Sequence, residues 1–191
     1  MSWTTGLQTE GLAANSAVGS AQNTFTSAQT ISPVSAAAYL PSNFYLPSYG
    51  VSKTVLVKAF GVLSTTSTPN FTIGVSANTT QGTYNGSGIL AVSPTTAMPS
   101  SVTNVPWELD VLITCASTGA SGSFLSDGQW KLYGTTTSVV SLRVSSSTAN
   151  PNTAYTLSTE VAYYVELFAA WGTSNSANSV TVYNVATLGI N

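Results

Sequence analysis

Histidine is absent from the sequence. Its absence excludes the Ser-His-Asp and Cys-His mechanisms in their usual forms and every histidine-bearing zinc site. One cysteine, Cys115, allows no intrachain disulfide and no thiolate cluster. Charge is nearly as scarce: Asp, Glu, Lys and Arg make up 5% of the residues, against about 25% in an ordinary soluble domain. The surface must therefore be covered by Ser, Thr, Asn, Gln and Gly, and copies of such a chain repel one another only weakly. Four basic residues and a net charge of −2 do not supply the clustered Lys and Arg on which nucleic-acid binding rests. No glycine-rich phosphate loop is present, because Gly82, Gly86 and Gly88 are not followed by Lys-Ser/Thr and a helix. No apolar run approaches the ~20 residues that span a bilayer as a helix. The opening MSWTTGLQTEG has neither the basic region nor the apolar core of a secretory signal. The expectation is a protein with no cofactor, no metal, no nucleic-acid partner and no membrane.

What is present is alternation. The chain is 43% hydrophobic, too apolar for a disordered segment. Its 191 residues suit one large β domain that buries roughly 70% of its unfolded surface. The organising stretch is VPWELDVLITCASTGASGSFLSDGQWKLYG, residues 105–134. Successive strand side chains point to opposite faces, so Trp107, Leu109, Val111, Ile113 and Cys115 share one face and Glu108, Asp110, Leu112 and Thr114 the other. The returning strand sets Phe124, Trp130 and Leu132 on one face, interrupted by Ser126 and Gly128, with Asp127, Gln129 and Lys131 opposite. The small-residue connector between them predicts a hairpin. On its apolar face Cys115 reads as an inert core residue.

The same device recurs along the chain. KTVLVKAFGVLS (53–64) is apolar on both faces and predicts a central strand covered on both sides, with NFTIGVSAN (70–78) as its partner strand. Residues 89–92 and 137–144 predict short strands. STEVAYYVELFAAW (158–171) and VTVYNVATLGI (180–190) predict a second long hairpin, since β-branched and aromatic residues favour a strand over a helix there. AAAYLPSNFYLPSYG (36–50) combines aromatics with two Leu-Pro steps and reads as an edge segment or ordered loop. Residues 1–35 differ: small and polar, with widely spaced apolar anchors at Trp3, Leu7, Leu12, Val18, Phe25 and Ile31. They read either as a loose terminus or as an extended arm that orders on a neighbouring subunit. The predicted fold is all-β: a single antiparallel, jelly-roll-like β-sandwich over residues 36–191 with an extended N-terminal arm over 1–35.

Candidate chemistry is thin. Glu108 and Asp110 share a strand face about 7 Å apart along the chain. Such a pair suits a cation, or the paired acids of a glycosidase, but equally a solvated strand face or a subunit salt bridge. Tyr39, Phe44, Tyr45, Tyr49 and Tyr84 suit a carbohydrate platform, a subunit interface or plain core caps.

The stretches GVLSTTSTPNFTIGV (61–75), TNVPWELDVLITCASTGASGSFLSDGQWKLYG (103–134), ELFAAWGTSNSANSVTVYNVATLGI (166–190) and TTGLQTEGLAANSAVGSA (4–21) together resemble a group of tailed-bacteriophage virion proteins. The resemblance covers most of the chain and rests on strand-and-turn patterns, not on catalytic motifs. It implies a non-enzymatic structural protein made in the host cytoplasm and carried on the outer surface of the capsid. In that role the chain would be a decoration or cement protein, a homo-trimer whose arm holds the major capsid protein or neighbouring copies. Its interface residues would be Trp3, Leu7, Leu12, Phe25, Tyr39, Phe44, Tyr45 and Tyr49. The alternative it implies is a tail-fibre or head-fibre module that binds host-surface glycan through loop aromatics.

Overall fold

The computed structural model describes residues 9–14, 18–46, 53–134, 139–148, 150 and 153–190. Trp3, Leu7 and Tyr49 lie outside the described residues. The strands, in chain order, are β1 (Thr9–Ala14), β2 (Gln22–Asn23), β3 (Gln29–Thr30), β4 (Ala38–Leu40), β5 (Thr54–Ser64), β6 (Asn70–Asn78) and β7 (Ile89–Val92). They continue with β8 (Thr96–Ala97), β9 (Val105–Ser117), β10 (Ser123–Tyr133), β11 (Val139–Ser145), β12 (Tyr155–Thr156), β13 (Tyr163–Trp171) and β14 (Ser179–Ile190). There is no α-helix among the described residues, only one-turn 3-10 segments at Val34–Ala36 and Gly86–Gly88.

All pairings are antiparallel, and the main path runs β1-β14-β5-β9-β10-β11-β7-β6-β13-β3. The step from β11 to β7 rests on one residue pair, Ser145 with Val92. There the sheet folds over, making one layer of β14, β5, β9, β10 and β11 and a second of β7, β6 and β13. Rings from the two layers meet between them: Phe71 of β6 lies 5.8 Å from Trp130 of β10 and 4.4 Å from Trp171 of β13. The architecture is the antiparallel β-sandwich that the alternation predicts, with an extended N-terminal segment. Trp107, Leu109, Val111, Ile113 and Cys115 are all buried in its core, as are Phe124, Trp130 and Leu132.

Three local expectations are corrected. β5 is covered on one side only: Val55, Val57, Ala59 and Leu63 are buried, whereas Lys58 and Phe60 face solvent. β5 and β6 are not partners, since β5 pairs with β14 and β9 and β6 pairs with β13, β7 and β8. β13 and β14 are not a hairpin either; they belong to opposite layers. Their connector at 172–178 and the β5–β6 connector at 65–69 both carry the chain across the sandwich. The two lie side by side, and the Thr66 N–H donates to the buried Asn178 Oδ1 at 2.8 Å. Such layer-crossing loops have the Ser/Thr/Asn/Gly composition of hairpin loops, so composition does not distinguish them.

The described part of the N-terminal segment lies against its own sandwich. β1 and β2 pair with β14 on the edge of one layer, and β3 and β4 pair with β13 on the edge of the other. Between these, the Gly19 N–H donates to Val182 O and the Ile31 N–H to Leu167 O, both at 2.9 Å. The segment thus laces the two edges together and sets Phe25 and Ile31 into the core.

One glycine controls the wall that carries the site. A Cβ on Gly61 would stand 1.9 Å from the Thr181 carbonyl oxygen and 2.9 Å from Trp107 Cζ2. β14 presses on β5 there because it bulges between Val182 and Asn184, which also shifts its buried set from Val180 and Val182 to Val185 and Thr187.

Candidate binding site

The solvent face of the β14-β5-β9-β10-β11 layer is a grid fixed by strand register. One row across the strands reads Asn184, Phe60, Glu108, Lys131 and Ser141. The next reads Ala186, Lys58, Asp110, Gln129 and Arg143, and the third Leu188, Leu56, Leu112, Asp127 and Ser145. Of the four basic and six acidic residues of the chain, three of each stand on this face. The face encloses a trough of about 650 Å³ lined by Lys58, Phe60, Asp110, Gln129, Lys131 and Asn184, among others, within the ~300–1,000 Å³ usual for ligand sites.

Every charge in the trough has an opposite partner. Lys58 Nζ is 2.5 Å from Asp110 Oδ2, Lys131 Nζ 3.3 Å from Glu108 Oε1 and Arg143 Nε 2.8 Å from Asp127 Oδ1. Gln129 Nε2 donates to Ser141 Oγ at 2.5 Å. The Tyr133 hydroxyl donates to Glu108 Oε1. That hydrogen bond, aided by Lys131 and Lys58 and opposed by partial burial, holds the Glu108 carboxyl below its ordinary range. The same bond raises the Tyr133 phenol. In each pair the second carboxylate oxygen has no protein partner among the described residues. Phe60 is 51% exposed and meets Tyr183 edge-on at 6.3 Å. Leu112 and Leu125 are also exposed on this face.

Glu108 and Asp110 are therefore an ion-paired part of the sheet's centre, and their basic partners come from the same chain. Among the described residues no three His, Cys, Asp or Glu side chains stand close enough to hold a metal ion. Sequence reasoning misses Phe60 and Lys58, because an apolar β5 looks covered on both sides. The available signal is Lys58 itself, which shares a strand face with Phe60.

The loop aromatics are placed differently. Tyr39 is 53% exposed and packs 5.3 Å from Tyr164. Tyr84 lies over Phe168 at 4.8 Å. Leu12 is partly buried against the core, while Phe25, Phe44 and Tyr45 are buried in it. Phe44 also lies under the Lys53 ammonium, 4.4 Å from its ring centre. Of the described members of the expected interface set, Leu12, Tyr39 and Phe44 line one cleft with Glu10 and Lys53, whereas Phe25 and Tyr45 are buried in the core.

Tyr45 meets Phe44 and Phe124 edge-on at 5.0 and 4.9 Å, and among the described residues its hydroxyl has no protein partner. Burial, and next the Cys115 thiol, push its phenol well above the ordinary 10.0. A raised folded-state value leaves stability intact below the unfolded-state value and erodes it as pH rises above that. Tyr45→Phe removes an unsatisfied buried hydroxyl, so at neutral pH stability should hold or rise by about 1 kcal/mol. The alkaline loss above pH 10 should also become shallower. Urea unfolding of both proteins at neutral pH and near pH 11 checks both points, and a variant less stable at both contradicts the assignment.

No protein family matches the sequence, and no curated protein is similar to it. Among solved structures, the chain is similar to peanut lectin with a 9mer peptide (PVIWSSATG), at 10% identity and a TM-score of 0.32, over 97% of this chain and 99% of that one. Likeness at that level carries over neither site nor ligand.

Proposed function

We propose that the chain is a non-enzymatic surface protein of a tailed-bacteriophage particle that recognises host-surface glycan through the trough. The observation that carries the recognition is the gathering of most of a nearly uncharged chain's ionic groups, with an exposed ring, on one concave face. Carboxylate, amide and ammonium groups interleaved on rigid strands suit pairs of sugar hydroxyls, and an aromatic face suits the C–H side of a sugar ring. The non-enzymatic reading is supported by the setting of both acids: Glu108 and Asp110 are each half-exposed and ion-paired to a lysine of a neighbouring strand, the opposite of the apolar pocket that keeps a glycosidase acid protonated. The phage context rests on the sequence resemblance.

A second reading is favoured by one row of the grid. Exposed Leu112 stands in that row beside half-buried Leu56 and Leu188, with exposed Leu125 in the next row on β10, an apolar strip beside ion pairs that suits a protein contact. On that reading the chain is a trimeric cement protein bridging major capsid protein subunits. Phe60→Ala and Asp110→Ala should each weaken glycan-array and host-cell binding about tenfold, or about 1.4 kcal/mol, and leave particle heat stability unchanged. Wild-type protein that binds no glycan, together with particles made heat-labile by Leu112→Asn, would transfer the role to the cement reading.

A further inference from the structure

We infer that the trough selects uncharged, unbranched oligosaccharide chains lying across the strands, and discriminates against acidic ones. This inference rests on the glycan reading above and specifies the ligand class.

Two features of the grid carry it. The first is charge closure. Each ammonium or guanidinium already faces a carboxylate of the next strand, so three positive and three negative groups cancel within the face. An anionic sugar would have to displace an internal carboxylate to reach a cation, and it would meet the outer oxygens of Glu108, Asp110 and Asp127. A neutral sugar needs no displacement. Its hydroxyls can donate to those outer oxygens and accept from the Gln129 and Asn184 amides.

The second feature is direction. Polar groups stand at four of the five positions of the row Asn184, Phe60, Glu108, Lys131, Ser141, which crosses five strands. Four inter-strand steps of about 4.8 Å span about 19 Å, the reach of a short oligosaccharide and more than one sugar ring occupies. Phe60, against Tyr183, sits toward one end of the row and offers a stacking place there. The amide and ion-pair ladder beyond it supplies repeated hydrogen-bonding places for successive sugars.

The test uses the full chain on an array of neutral and acidic glycans of graded length, at about 0.05 and 0.5 M salt, conditions that differ severalfold in screening length. Neutral linear chains should bind, with affinity rising with length until the trough is spanned and changing less than about twofold between the two salts. Phe60→Ala and Gln129→Ala should each weaken that binding about tenfold. Asp110→Asn releases the Lys58 ammonium and should add severalfold, salt-sensitive affinity for acidic chains. Circular dichroism and thermal unfolding establish that each variant is folded. Preferential, salt-sensitive binding of acidic chains by the wild type overturns the inference and leaves the glycan reading standing, as does affinity independent of chain length. Binding of no glycan of either charge overturns both.

Discussion

A chain lacking residues 2–31 is expected to lose cooperative folding. The deletion removes β1, β2 and β3, and with them the pairing that covers the outer edge of β14 and part of the edge of β13. It also removes Phe25 and Ile31 from the core. Truncating one buried Phe and one buried Ile costs roughly 5–10 kcal/mol together, comparable with the whole stability of an ordinary domain, about 5–15 kcal/mol. The exposed β14 edge adds an aggregation hazard. Urea unfolding followed by circular dichroism should show no sigmoidal transition, and size exclusion should show aggregate. A two-state transition with the wild-type midpoint would mean that residues 32–191 are self-sufficient. Deleting residues 2–8 alone leaves all these contacts in place, so that shorter variant is the appropriate one for testing attachment to a capsid.

The legible and illegible parts of this fold divide by sequence distance. Which side of β9 and β10 is buried follows from alternation within each strand. Their pairing follows from a short small-residue connector. Both signals are local. Lys58 meets Asp110 across 52 positions and Lys131 meets Glu108 across 23, and no local pattern states which strand will lie beside β9 on its far side. The partners of the acids, and hence the trough, become visible only once β5 is placed there. The same limit explains the misassigned pairing of β13 with β14, where a layer-crossing loop has the composition of a hairpin. Alternation also fails at Phe60: Val55, Val57 and Ala59 alternate with Leu56, Phe60 and Val62, and apolarity alone does not choose a side. Lys58 does choose, because an ammonium is rarely buried without a partner. The bulge at Tyr183 leaves a fainter trace, the shift in spacing from Val180 and Val182 to Val185.

Glu166 is the second position where a large loss is expected. Alternation puts it on the face of β13 opposite Val165 and Leu167, yet it is 2% exposed. The 79–88 loop folds over that face and places Tyr84 on Phe168. Glu166 Oε1 accepts the Gly82 N–H and Oε2 accepts Asn78 Nδ2, each at 2.9 Å. Asn78 is itself buried, and its Oδ1 accepts the Asn85 N–H at 3.0 Å. One carboxylate thus fastens both the β6 side of the loop and its tip, where Gly82 takes φ +75°. No Lys or Arg among the described residues pairs with Glu166, so these N–H donors do the work of a counter-charge. Glu166→Ala removes two hydrogen bonds to a charged acceptor, each contributing about 1.5–3 kcal/mol, so a loss of about 3–6 kcal/mol is expected. Glu166→Gln keeps the volume and one acceptor but turns an NH₂ toward a donor. Asn78 cannot rotate its amide to compensate without giving up Asn85, so this variant should fall between wild type and Ala. Urea midpoints give the order, and proteolysis within 79–88 should accelerate in the same order. A Glu166→Ala protein within about 0.5 kcal/mol of wild type, the scatter of an ordinary surface substitution, would show that the loop is held by the Tyr84–Phe168 contact and not by the carboxylate.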